Sequence, residues 1–76
     1  MNTEETVLEI LEDIKPGVEF RGVKDLATGR VLESFDILQL ISELNDEFDI
    51  VIPLEEVIPA NFDSLEGIAA LVDRLR

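Results

Sequence analysis

The feature that most limits the fold is the absence of any residue that could crosslink so short a chain. Its 76 residues include no cysteine and no histidine, so neither a disulfide nor a structural zinc site with such ligands can hold it together. A domain of this size buries only about 60% of the surface that its unfolded chain exposes. Hydrophobic residues make up 46% of the chain, and many recur at helical spacing. We therefore expect residues 1–76 to form one all-α domain that is stabilised by helix packing.

Two long helices are predicted in the first two thirds of the chain. Asn2 forms a capping box with Glu5 at the start of the first helix, and the segment Lys15-Pro16-Gly17 ends it. Residues 16–32 have scattered apolar side chains without a clean period, which indicates a long ordered loop with at most one short helical turn at 23–27. A second helix begins near Ser34 and carries an apolar stripe on one face.

Two further helices are predicted in the last third. Residues 54–58 can form a short third helix, which Pro59 stops. Asp63 and Glu66 form a second capping box, which opens a final helix with an apolar face. The predicted fold is therefore a four-helix bundle with three main helices, one short helix and a long loop after the first helix.

The charge excludes several classes of partner. The chain has 18 acidic and 6 basic residues and a net charge of −12, so direct binding to nucleic acid is not expected. No signal peptide or membrane span is evident, and we expect a cytoplasmic monomer. Between Val31 and Asp73 there are eleven acids and no base. This stretch is either a solvated face or a docking surface for a basic partner, and charge alone favours the solvated face.

Most catalytic chemistry is also excluded. Without histidine or cysteine the chain cannot form a Ser-His-Asp triad or a Cys-His pair, and we expect no catalytic residue. A calcium loop over residues 45–56 fails because Ile50 stands where the sharp turn needs glycine, so no metal site is predicted. The remaining candidates for covalent chemistry are three serines: Ser34, Ser42 and Ser64.

Residues 33–40, with the sequence ESFDILQL, resemble the Asp-Ser-Leu-Asp-x-x-x-Leu signature of acyl and peptidyl carrier proteins. Residues 47–53 (EFDIVIP) resemble the segment that closes the second helix of these proteins, and residues 61–65 (NFDSL) fit the start of their last helix. The resemblance spans nearly the whole chain and is weakest in residues 15–31. It implies a four-helix bundle in which Ser34 carries 4′-phosphopantetheine, whose thiol holds an acyl or aminoacyl group as a thioester.

Two residues depart from the signature: Glu33 replaces its first aspartate, and Phe35 replaces its leucine. Ser-Phe is similar to the motif of D-alanyl carrier proteins, which favours an aminoacyl cargo such as D-alanine over a fatty-acyl or polyketide cargo. Residues 63–65 match the literal Asp-Ser-Leu better, but only twelve residues follow Ser64. These are too few for the family's remaining helices, so Ser34 is the predicted attachment site.

The resemblance also implies partners. A phosphopantetheinyl transferase would modify Ser34, and an adenylating ligase or acyltransferase with a basic docking surface would load or unload the arm. With these partners, docking becomes the favoured interpretation of the acidic stretch. The docking candidates are Glu33, Phe35, Asp36, Leu38, Glu43 and Glu47. The function predicted is thus a stand-alone carrier protein, and the alternative is an acidic adaptor with a carrier-like fold and no prosthetic group.

Overall fold

The computed structural model describes residues 2–76, which fold into three α-helices and two short 3-10 helices without a β-strand in this part of the chain. The α-helices are α1 (Thr3–Ile14), α2 (Ser34–Phe48) and α3 (Leu65–Leu75), and the 3-10 helices are Leu54–Glu56 and Pro59–Asn61. α1 packs against both α2 and α3. Over residues 2–76, no helix has the length and apolar character needed to cross a bilayer.

The three main helices confirm the all-α prediction, but the short third helix of the predicted bundle is not an α-helix. Residues 54–61, which we call the 3-10 segment, contain the two 3-10 helices instead, with residues 57 and 58 between them. Ile58, which lies between them, is extended with φ −127° and ψ 150°, because a residue that precedes proline avoids the helical region. Pro59 then starts the second 3-10 helix. The proline therefore divides the segment into two single turns that are too short for α-helical hydrogen bonding.

α1 begins and ends where predicted, but only the Asn2 half of the predicted capping box is found in residues 2–76. The Asn2 side chain accepts hydrogen bonds from the backbone N–H groups of Glu4, at 2.8 Å, and Glu5, at 3.4 Å. These bonds satisfy two donors that the first turn of a helix leaves unpaired. At the other end Lys15 is the C-cap, and Gly17 turns the chain with φ 87°, a conformation that glycine adopts without steric cost.

The predicted capping box of Asp63 with Glu66 is wrong. Ser64 is the N-cap of α3, and its hydroxyl accepts from the Gly67 N–H at 2.9 Å. The Asp63 carboxylate instead accepts from the backbone N–H groups of Ala27, at 3.0 Å, and Thr28, at 2.8 Å. A loop outside any helix needs acceptors for its peptide groups, and Asp63 supplies one to the turn that precedes α2.

The core is built from the helices and from the long loop. Phe20, Leu26 and Leu32 of the loop are almost completely buried, as are Leu40 and Leu44 of α2. The apolar residues of the loop thus pack onto the helices. No helix forms over residues 23–27, but a hydrogen-bonded turn lies slightly later, at residues 26–30, where the Gly29 N–H donates to the Asp25 carbonyl. The loop is therefore part of the core, and it holds the start of α2 in place.

Candidate attachment site at the start of α2

Ser34 is the first residue of α2, and its side chain is exposed. The N-cap of this helix is Glu33, with φ −86° and ψ 171°. Its backbone N–H donates to the Asp36 carboxylate at 3.1 Å, which is one half of a capping box. Within residues 2–76 the Ser34 hydroxyl has no hydrogen-bond partner. Glu33 and Asp36 thus cap the start of α2, and the Ser34 hydroxyl takes no part in capping it.

Lys15 and Asp36 join the end of α1 to the start of α2. Lys15 Nζ lies 2.9 Å from Asp36 Oδ2, and the Asp36 side chain is only 13% exposed. The hydrogen bond from Lys15 and that from the Glu33 N–H lower the pKa of Asp36. The same hydrogen bond to Asp36, with the negative charges of Asp36 and Glu33, raises the pKa of Lys15. This ion pair fixes the helix end that presents Ser34, and nothing in the sequence pattern had singled out Lys15.

The other two serines lie in different environments. Ser64 is half-buried, and its hydroxyl is used as the N-cap of α3. Ser42 is exposed in the middle of α2, where no helix end adjoins it. Of the three serines, only Ser34 combines exposure, a position at a helix N-terminus and a hydroxyl without a capping role.

Ser34 lies on the wall of an open surface cleft of about 670 Å³. The loop before α2 contributes Ala27, Arg30 and Leu32 to this cleft, and Pro59 contributes from the second 3-10 helix. Arg30 is a basic residue of this cleft, whereas the sequence pattern placed it only within the long ordered loop of residues 16–32.

A second, more apolar groove of about 290 Å³ also begins at Ser34. It runs between α2, which contributes Ile37 and Leu38, and the 3-10 segment, which contributes Val57 and Ile58. Two surface depressions therefore adjoin Ser34: one has mixed lining that includes Arg30 and Glu33, and the other has mainly apolar lining.

The apolar docking candidates are exposed, as the docking hypothesis requires. Phe35 is 76% exposed and Leu38 is 65% exposed. Leu54, which is 85% exposed, and Ile58 add further apolar surface on the 3-10 segment. Sequence reasoning had assigned the 3-10 residues to a short helix and had not included them in the docking surface.

The acidic docking candidates are not all on the same side of α2. Glu33 is exposed next to Ser34, and Asp36 is turned inward to Lys15. Glu43 and Glu47 line a depression between α2 and α1, together with Glu5, Glu9 and Asp13. The last two candidates therefore share an acidic trough with α1, while Phe35 and Leu38 lie by the grooves at Ser34.

The site fits a phosphopantetheine ester at Ser34. The hydroxyl is exposed and uncommitted, and two surface depressions adjoin it. The start of a helix favours an attached anion, because its unpaired N–H groups carry partial positive charge.

Comparison with known proteins gives no relative for this chain. No family model matches it, and neither a curated protein nor a solved structure is significantly similar. The functional assignment therefore depends on the site and on the motif that surrounds it.

Proposed function

We propose that this chain is a carrier protein that holds an acyl or aminoacyl group as a thioester on a 4′-phosphopantetheine arm attached to Ser34. The observation that carries the proposal is the contrast between two serines. Ser34 is exposed at the start of α2 and takes no part in capping it, whereas Ser64 caps α3. A serine kept at a helix start without a capping role is available for modification.

The attachment step needs an enzyme from outside the chain. The Ser34 Oγ would attack the phosphorus of coenzyme A that bears the pantetheine. An Oγ–P bond forms, the P–O bond to adenosine 3′,5′-bisphosphate breaks, and the hydroxyl proton passes to a base of the transferase. No histidine or cysteine is present to supply that base or a thiol. The arm supplies the thiol, and this chain supplies the position and charge that its partners recognise.

The arrangement favours a cargo that stays outside the core. The large side chains of the core, including Phe20, Phe62 and Leu44, are fully buried. The depressions at Ser34 are open to solvent. An aminoacyl group such as D-alanine suits these surfaces better than a long fatty-acyl or polyketide chain, which would gain little protection from water.

The exposed surface near Ser34 supports docking to a basic partner with an apolar contact. Glu33 provides a carboxylate beside the attachment point, and Phe35 and Leu38 provide apolar area. Glu43 and Glu47 extend the negative field along α2, which would accelerate encounter with a basic ligase or acyltransferase.

The test is modification of the purified chain by coenzyme A and a phosphopantetheinyl transferase, followed by intact-mass measurement. We expect one phosphopantetheine per chain. Ser34→Ala should abolish the gain while the helical circular dichroism stays unchanged, and the matched control Ser64→Ala should keep it.

Three outcomes discriminate among the alternatives. A mass gain that persists in Ser34→Ala would show that the site is wrong. If the wild-type chain gains no mass with any of several transferases, the result would favour the acidic adaptor without a prosthetic group. If the modified protein strongly protects a long-chain thioester from hydrolysis, the cargo is fatty-acyl and not aminoacyl.

A further inference from the structure

Among residues 2–76, Arg30 is the only basic residue that lines the cleft containing Ser34. Its side chain is exposed. The ion pairs found within residues 2–76 involve Lys15, Arg21, Arg74 and Arg76 as the cations, and Arg30 takes part in none of them. Arg30 is therefore a cationic residue of the cleft that forms no salt bridge with a carboxylate of the described chain.

The backbone of Arg30 lies in a conformation that is unfavourable for an L-residue with a side chain. Its φ is 62°, in the left-handed region where a β-carbon crowds the following carbonyl oxygen and where glycine is the residue of lowest cost. Non-glycine residues held in this region cluster at functional sites. A functional role of the side chain would explain why an arginine, and not a glycine, occupies this position.

The surrounding turn fixes this placement. The Arg30 N–H donates to the Ala27 carbonyl at 3.2 Å, and the Leu32 N–H donates to the Leu26 carbonyl at 2.8 Å. The Asp63 carboxylate accepts from the N–H groups of Ala27 and Thr28. Arg30 is thus presented to the cleft from a turn that is bonded both internally and to the segment before α3.

The charges around Ser34 indicate a role for the Arg30 side chain. A phosphodiester on Ser34 would add negative charge beside Glu33 in a chain whose net charge is already −12. Lys15 is paired with Asp36. Arg30, by contrast, lies at the same cleft as Ser34, and a guanidinium can donate two parallel hydrogen bonds to phosphate oxygens.

We propose that Arg30 binds the phosphodiester of the arm on Ser34 and so sets the direction in which the arm leaves the surface. The inference depends on the proposed function, because it requires the modified serine. Arg30 acts here as a positioning residue, since it contacts the attachment phosphate and not the reacting thioester.

The experiment uses the modified protein and reads the phosphorus directly. Wild type, Arg30→Gln, Arg30→Lys and Arg30→Gly are each modified, and the mass gain on Ser34 is measured first. The 31P chemical shift of the phosphodiester is then recorded at low and high salt. Lys24→Gln is the matched control, because Lys24 is an exposed base of the same loop that does not line the cleft.

We expect the 31P resonance to move in Arg30→Gln and Arg30→Gly, to move less in Arg30→Lys and to stay in place in Lys24→Gln. High salt should shift the wild-type resonance toward that of Arg30→Gln. The side-chain Nε–H resonance of Arg30 should shift when the unmodified protein is converted to the modified one. Arg30→Gly should melt at the wild-type temperature or above it, which separates loss of the phosphate contact from loss of the fold.

The two proposals fail in different ways. If no variant and no wild-type sample gains mass at Ser34, the proposed function is overturned and the role of Arg30 with it. If the mass gain occurs but the 31P resonance is the same in wild type and Arg30→Gln, the carrier function stands and the role of Arg30 is overturned.

Discussion

Replacement of Asp63 by alanine should destabilise the fold more than its half-exposed position suggests. The carboxylate accepts two backbone hydrogen bonds, at 3.0 and 2.8 Å, from the turn that leads into α2. A hydrogen bond to a charged group contributes about 1.5–3 kcal/mol, and partial exposure places each of these at the lower end, so Asp63→Ala should cost about 2–4 kcal/mol.

That loss is large for this chain. With about 0.05–0.15 kcal/mol of stability per residue, a domain of 76 residues has roughly 4–11 kcal/mol in total. In a domain of this size each kcal/mol corresponds to about 4–8 °C, so the melting temperature should fall by roughly 8–32 °C.

The assay is thermal and urea unfolding followed by circular dichroism, with amide hydrogen exchange at Ala27 and Thr28. Asp63→Asn should cost about half as much, because its neutral oxygen still accepts but more weakly. Asp46→Ala is the control for removing one negative charge, since Asp46 is exposed on α2. The reasoning is refuted if Asp63→Ala costs no more than Asp46→Ala, or if exchange at the two amides stays slow.

Three further predictions concern α2 and α3. Ser64→Ala removes the N-cap bond to α3 and should cost about 0.5–2 kcal/mol in urea unfolding, and an unchanged midpoint would contradict the cap. The folded state lowers the pKa of Asp36 and raises that of Lys15. The ion pair therefore stabilises the fold at pH values at which Asp36 is ionised and Lys15 is protonated. Its contribution is lost as the pH falls through the folded-state pKa of Asp36 or rises through that of Lys15, and Asp36→Asn should flatten the acid limb of a stability–pH curve. Salt should raise the melting temperature by screening the acidic trough and should slow association with a basic partner over the same range. Charge reversal at Glu43 and Glu47 should mimic both effects, and unchanged association kinetics would identify the trough as a solvated face.

The sequence by itself determined the helices and the candidate serine. The spacing of apolar residues and the cap at Asn2 predicted α1, and the motif around Ser34 predicted the start of α2, because both depend on interactions within a few residues. The short third helix predicted over residues 54–58, which Pro59 was expected to stop, was wrong. Leu54–Glu56 forms only a 3-10 turn, and Ile58 is extended because it precedes a proline.

Only the tertiary structure decided how distant residues are used. Asp63 looked like a local cap, yet its carboxylate binds amides 35 and 36 positions away. Lys15 reaches Asp36 across 21 positions, and Arg30 lies at the cleft of Ser34 only because the loop folds back toward α2. Sequence periodicity reports the few residues within one turn of a helix, whereas a loop's long-range partners depend on how its turns pack against the core.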